Sequence, residues 1–164
     1  MILAASAKLG MTFAMKYTNR LRELRALKLA VTIMEGEMVF SHITMGDIFK
    51  KISLSMPCGL RKTFLETGVK LKDKSGTIIS KIFCRELEKN RKQIQLKNAD
   101  IQQFNDFITL LGRTDLDDQL KNISLARKSL EMSEKDAIEE CTKYVKMSRT
   151  LGISLGVLLV ILMI

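Results

Sequence analysis

The side chains able to do chemistry are few and scattered. The chain has one histidine, His42, and three cysteines, Cys58, Cys84 and Cys141. One histidine cannot complete the usual zinc set, and no Ser or Cys stands beside it as a nucleophile. The cysteines are odd in number, far apart, and form no CxxC pair. That pattern argues against a disulfide framework or a zinc site and for a reducing compartment. Each cysteine reads as a buried space-filler. Glu35 and Glu37 lie close together, and paired acids are what acid/base catalysis needs. No histidine or metal set accompanies them, so they read as ordinary polar helix positions. Gly76 is a lone glycine, and the phosphate-cradling GxxxxGK[ST] pattern is absent. No catalytic residue, metal ligand or cofactor is therefore assigned. The densest polar stretch is ITLLGRTDLDDQ, Ile108 to Gln119. There Gly112, Arg113, Asp115 and Gln119 gather in a short space. They read either as a partner-facing corner or as a tight interhelix turn. In the turn, Gly112 ends one helix, Asp115 caps the next, and Gln119 bonds the preceding loop.

These residues sit in an unevenly charged chain. Its 164 residues carry a net charge of +9, from 27 basic and 18 acidic residues. All the acids, and every basic residue except Lys8, lie between Lys16 and Arg149. A charged middle is thus flanked by two apolar ends. A balance of this sign suits nucleic acid, anionic lipid, or the cytoplasmic side of a membrane protein. One proline, 5% aromatic residues and abundant Leu, Lys, Glu and Met favour helices over strands.

The elements that must position these side chains follow from apolar spacing. Tyr17, Leu21, Leu24, Leu27, Val31, Met34 and Met38 form one stripe of a first helix, which the apolar start enters without a proline. Thr44 with Asp47 reads as a capping-box variant before a helix near Met45–Leu54, with Ile48, Phe49 and Ile52 inward. Pro57 opens a third helix, whose apolar side is expected at Leu60, Phe64 and Leu65, then Val69 and Leu71. Thr77 is the expected cap of a fourth helix facing inward through Ile79, Ile82, Phe83 and Leu87. RKQIQLKN reads as a polar connector. A fifth helix starts near Asp100, an N-cap or first-turn residue, and buries Ile101, Phe104, Ile108 and Leu111. The sixth runs from about Asp115 with Leu116, Leu120, Ile123, Leu130, Ala137, Cys141 and Tyr144 at helical spacing, and nothing compels a break before Ile164.

The two ends are read as membrane segments. Residues 1–15 and 150–164 each span about 22 Å as helix at ~1.5 Å per residue, short of a ~30 Å hydrocarbon core. The first is a thin anchor with a snorkelling Lys8, an interfacial segment, or the second half of a longer span whose true start lies upstream. Ser6, Gly10 and Ala14, and on the other end Gly152 and Gly156, are spaced for close helix packing. Lys16, Arg20, Arg22 and Arg25 crowd the water side of the first end, and Lys143, Lys146 and Arg149 that of the second. By the positive-inside rule the middle, residues 16–149, is cytoplasmic. The basic residues near the first end read as a solvated face that also sets orientation, or as contacts to anionic lipid.

The order of these features resembles the stage III sporulation protein AB family of endospore-forming bacteria. The likeness rests on RLRELRALKLAVTIMEGEMVF, on LLGRTD followed by Gln119 and IxLARKSL, and on the closing LGxSLGVLLVILMI. The matched corner residues are Gly112, Asp115 and Gln119, with Arg113 between them. The apolar start is shorter than the family's usual anchor. The resemblance implies an all-α fold, a six-helix antiparallel bundle similar to the cytoplasmic domains of type II secretion F proteins, with apolar membrane-anchoring helix ends at both termini. It implies a non-enzymatic scaffold of the mother cell–forespore channel, sited at the mother-cell (outer forespore) membrane with its soluble domain in the cytoplasm. Its expected partners are other stage III sporulation channel proteins, among them the ATPase, stage III sporulation protein AA, together with anionic membrane lipid. Nucleic acid is not expected, since no aromatic stacking platform accompanies the basic residues. The alternative is a basic membrane-associated protein that binds nucleic acid or anionic lipid. A membrane enzyme is disfavoured for want of any catalytic constellation.

Overall fold

A computed structural model describes the backbone of residues 2–41, 43–73, 78–111 and 116–163. It describes side-chain surroundings for residues 14–41, 43–73, 78–111, 118–144 and 146–147. The described residues form six α-helices and one 3₁₀ turn, with no strand among them: α1 Ile2–Phe40, α2 Met45–Ser53, α3 Cys58–Asp73, α4 Ile79–Asn90, the turn Arg91–Gln93, α5 Asn98–Leu110 and α6 Leu116–Met163. Helices α1 and α6 pack along one another, and α2, α3, α4 and α5 each pack on the next.

The core forms where the apolar stripes meet. Leu24, Leu27, Val31 and Met34 of α1 are buried, with Leu21 and Met38 partly so. Ile123, Leu130 and Ala137 of α6 face them across the bundle's centre. Four aromatic rings fill the middle. Phe49, Phe64, Phe83 and Phe104 come one each from α2, α3, α4 and α5, with centroids 5.3 to 6.1 Å apart, mostly edge to face. Those contacts stabilise beyond area burial, each by about 1 kcal/mol. Thr44 caps α2 as its spacing implies, accepting from the Asp47 backbone N–H at 3.3 Å and donating to the Asp47 carboxylate at 2.7 Å. Pro57 immediately precedes α3, and its carbonyl accepts from the Arg61 backbone N–H at 2.7 Å.

The structure departs from the sequence reading in four places. The inward face of α3 is Leu60, Thr63, Phe64, Thr67 and Gly68, whereas Leu65 and Val69 are exposed. Close approach of α2 explains this. A Cβ on Gly46 would lie 2.9 Å from the Gly68 carbonyl oxygen, and one on Gly68 would lie 2.7 Å from that of Gly46. The two threonines are buried because each hydroxyl donates to the carbonyl four residues earlier, Thr63 to Gly59 and Thr67 to Thr63. Second, the connector before α5 is not simply polar. Ile94 and Leu96 are core residues, and Arg91 donates to the carbonyls of both. Third, Thr77 lies outside the described residues, and the residue at the α4 cap is Ile78, with no side-chain cap. Fourth, Cys58 is exposed and Cys84 and Cys141 are half-buried, so the three thiols are not alike in burial.

Among the described residues no helix is long and apolar enough to cross a membrane. The backbones of both apolar ends are helical continuations of α1 and α6. At ~1.5 Å per residue, α6 is about 72 Å long and α1 about 58 Å, whereas α2 to α5 are at most about 24 Å.

Candidate functional site

The most elaborate polar arrangement lies where α1, α5 and α6 meet. Arg20 is 5% exposed and Asp100 3% exposed. The Arg20 guanidinium donates to both Asp100 oxygens, from Nε at 2.8 Å and Nη2 at 2.9 Å. Its Nη1 donates to Glu140 at 2.8 Å, and the other Glu140 oxygen accepts from Lys97 Nζ at 2.5 Å. Asp100 also accepts from the Lys97 backbone N–H at 2.9 Å, which closes the first turn of α5. One buried guanidinium thus ties three helices together. Asp100's hydrogen bond, opposed by burial, holds Arg20 above its ordinary pKa. Further along the α1–α6 seam, Glu134 accepts from Arg25 at 2.7 Å and Lys28 at 2.5 Å, and Arg127 pairs with Glu35. At the other end Tyr17 stacks on Tyr144 with centroids 4.4 Å apart and planes 12° from parallel. These pairs step along α1 and α6 in opposite directions, so the two helices are antiparallel in one register.

Two further acids are buried for different reasons. Glu23 on α1 accepts from the Gln95 backbone N–H at 2.7 Å and pins the connector before α5. Burial pushes its carboxyl up to about 7, against the lowering effect of backbone bonds from Gln95 and Leu96 and the charge of Arg91. Glu86 on α4 is opposed by the same burial, but hydrogen bonds from Glu66, Lys70 and Lys89 prevail and bring it down to about 2. Glu66 carries the complementary shift: its hydrogen bond to Glu86, then burial, raise its pKa. Both acids have structural partners, and among the described residues no group of three His, Cys, Asp or Glu could hold a metal ion.

Comparison with known proteins decides which family this bundle represents. The chain matches stage III sporulation protein AB over residues 1–164. It belongs to the stage III sporulation protein AB family. A stage III sporulation protein AB of Bacillus subtilis (strain 168) is 29% identical over 162 residues, covering 99% of this chain and 94% of the relative. A solved structure of a stage III sporulation protein AB superposes with a TM-score of 0.69 at 25% identity, covering 76% of this chain and 97% of that one. The chain is thus a sporulation protein with the helical architecture of its family.

Against that family frame, the residues singled out in the sequence separate. Gly112, Arg113 and Asp115 lie outside the described residues, as does His42. Gln119 is half-buried near the start of α6. Gly10 lies within α1, and Gly152 and Gly156 within α6, with their surroundings outside the description. Lys16, Arg22 and Arg25 are exposed, and Arg25 is bound to Glu134. Arg20 corrects the reading of a solvated basic face. It turns inward because two buried or half-buried carboxylates meet it there. Glu35 and Glu37 are not a pair: one is held by Arg127 and the other by Lys51. Sequence reading missed Glu23, Glu86 and the role of Asp100. The available signal was position: Arg20 and Glu23 flank the apolar stripe of α1 at Leu21 and Leu24 rather than standing opposite it.

Proposed function

We propose that the chain is a non-enzymatic scaffold of the mother cell–forespore channel complex, held at the mother-cell membrane by its two apolar ends with the bundle in the cytoplasm. The observation that carries this is the common register of α1 and α6. Tyr17 opposes Tyr144, Arg20 opposes Glu140 and Glu35 opposes Arg127. Both apolar ends therefore continue from the same end of the bundle. Carried outward, that register brings Ala14, Gly10 and Ser6 to within one or two residues of Ser148, Gly152 and Gly156. All six are small, and spacing by four puts each set on one helix face, as close packing of helices in lipid requires. The charge-poor ends, with basic residues just inside both, fit a hairpin dipped into the bilayer with its polar body in the cytoplasm.

The start of α6, from Leu116, lies at the opposite end of the seam, toward the C-terminus of α1. Phe40 is 83% exposed there, with Val39 and Ile43 also exposed. That end is where the other channel proteins and the ATPase, stage III sporulation protein AA, meet the scaffold in this reading. The test has two parts. Gly10→Cys with Gly152→Cys, in a chain whose native cysteines are serine, should close a disulfide in sporulating-cell membranes. Gly10→Cys with Gly156→Cys, about 6 Å out of register, should not. Release of the protein by alkaline carbonate washing would refute membrane anchoring. Photocrosslinkers at positions 113, 115 and 119 should capture channel partners, and their failure while the disulfide forms would refute the partner assignment alone.

A further inference from the structure

The strongest unassigned feature is a cavity of about 330 Å³ between α1 and the α2–α3 connector. Arg22 and Arg25 line it from α1 and Arg61 from α3, and no acidic residue lines it. Among the described residues no carboxylate is paired with Arg22 or Arg61. Arg25 shares Glu134 with Lys28 and keeps an exposed guanidinium. Arg61 Nη2 makes one long contact, 3.4 Å, to the Leu54 carbonyl. The rest of the wall is largely apolar: Ala26 and Leu29 follow Arg22 at helical spacing, and Leu54 and Pro57 face them from the connector. Leu54 is 76% exposed, an unusual placement for a leucine beside three guanidinium groups.

Three uncompensated or half-compensated arginines on two elements, around a concave site with an apolar wall, match one ligand chemistry. Guanidinium forks recognise phosphate oxygens by paired, charge-assisted hydrogen bonds. The apolar wall suits the carbon portion of a phosphate ester better than a bare, fully hydrated ion. We propose that this cavity binds a phosphate-ester group through Arg22, Arg25 and Arg61, with the attached carbon chain against Leu29 and Leu54. The phosphate could come from a lipid headgroup or from a free phosphate compound. Side chains on a helix lean toward its N-terminus, so Arg22 and Arg25 lean toward the apolar end of α1. Arg22 lies about 10 Å beyond Met15 along the helix. The headgroup source therefore deepens the membrane reading of the preceding section, whereas the free-phosphate source does not depend on it.

The test uses the full chain in a non-ionic detergent, titrated calorimetrically with two probes: a short-chain phosphatidylglycerol below its micelle concentration, and glycerol phosphate. Arg22→Gln with Arg61→Gln should weaken binding about tenfold or more, as expected for losing charge-assisted bonds. Lys81→Gln with Arg85→Gln removes the same charge from the exposed face of α4 and should leave affinity within about twofold. Arg61→Lys, which keeps the charge and loses the fork, should fall between them and guards against a misfolded double variant. Binding of the lipid alone assigns a headgroup, and binding of both probes assigns the phosphate ester itself. Failure of both probes to bind, or an equal loss in the α4 variant, would overturn the proposal. Carbonate extraction of the Arg22→Gln, Arg61→Gln chain tests anchoring separately, because the apolar ends are untouched.

Discussion

Replacing Asp100 by Asn tests the three-helix junction most directly. The substitution is nearly isosteric and keeps an oxygen for the Lys97 backbone N–H, so the cap of α5 survives. What is lost is the negative charge facing a guanidinium that is almost wholly buried. Breaking a buried ion pair from one side costs about 3–5 kcal/mol, because the remaining charge is left uncompensated. Glu140 still accepts from Arg20 at 2.8 Å, and its side chain is 29% exposed, which places this case near the low end, at about 3 kcal/mol. Small domains are stable by only about 5–15 kcal/mol, so this is a large fraction.

Removing both partners tests the junction more sharply. Arg20→Met with Asp100→Asn removes the buried charge as well as its partner, and the Lys97–Glu140 bond closes the gap on α6. The double variant should lose no more than about 1–2 kcal/mol, because it leaves no buried charge without its partner. The coupling energy should then exceed about 2 kcal/mol. Urea unfolding followed by far-ultraviolet circular dichroism measures all four corners of the cycle. A loss below about 1 kcal/mol for Asp100→Asn, or a coupling near zero, would show that Arg20 reaches water and that the junction is not buried in solution.

Glu23, raised by burial to about 7, contributes stability that is full below its ordinary 4.5 and lost as pH rises through about 7. Glu23→Gln should abolish that decline and stabilise the chain at mildly alkaline pH, by at most roughly 3 kcal/mol, in denaturant midpoints measured across pH. Glu86 has the opposite sign: burial opposes its charge, but Glu66, Lys70 and Lys89 hold it near 2, so its contribution is present above 4.5 and lost as pH falls toward 2. Glu86→Gln should cost roughly 1–3 kcal/mol at neutral pH and flatten the acid limb of the same curve. Gly68→Ala should destabilise by about 1–3 kcal/mol through the Gly46 carbonyl, with Gly36→Ala as a control where an added Cβ meets nothing within 4 Å.

The helices were legible because their stripes are long and regular. Leu24 to Met34 of α1 and Ile101 to Ile108 of α5 kept their period, and residues at that period became core. The α3 face was misread for a specific reason. Hydropathy spacing favours Leu65 and Val69, but the α2–α3 crossing is close enough to admit only Gly46 and Gly68 at the contact, with threonines beside them. Small and hydroxylic residues carry no apolar signal, so such a face is invisible to hydropathy. The buried charges were hidden in the same way. Arg20 looks like its exposed neighbours Lys16 and Arg22 until Asp100, eighty residues away, is brought against it. Such long-range pairs leave no local pattern in a single sequence.

That junction also bears on how the two long helices hold their alignment. Apolar stripes alone specify a helix pair loosely, since leucine contacts tolerate sliding by a turn. A slip of four residues, about 6 Å, would carry Glu140 away from Arg20 and offer Asp136 or Tyr144 instead. Glu134 would leave Arg25 and Lys28, and Arg127 would leave Glu35. In the Tyr144 direction Arg20 would keep only Asp100, and in either direction the half-buried carboxylate of Glu140 would lose Arg20 as a partner. Misalignment thus costs several charge-assisted bonds together, while correct alignment satisfies each. Buried ion pairs contribute more securely to uniqueness than to net stability, and setting register is their best-attested use. In this chain the need for a fixed register is greatest beyond the bundle. There α1 and α6 run on as the two apolar ends, so the register fixed in the bundle also sets how those ends lie level with one another.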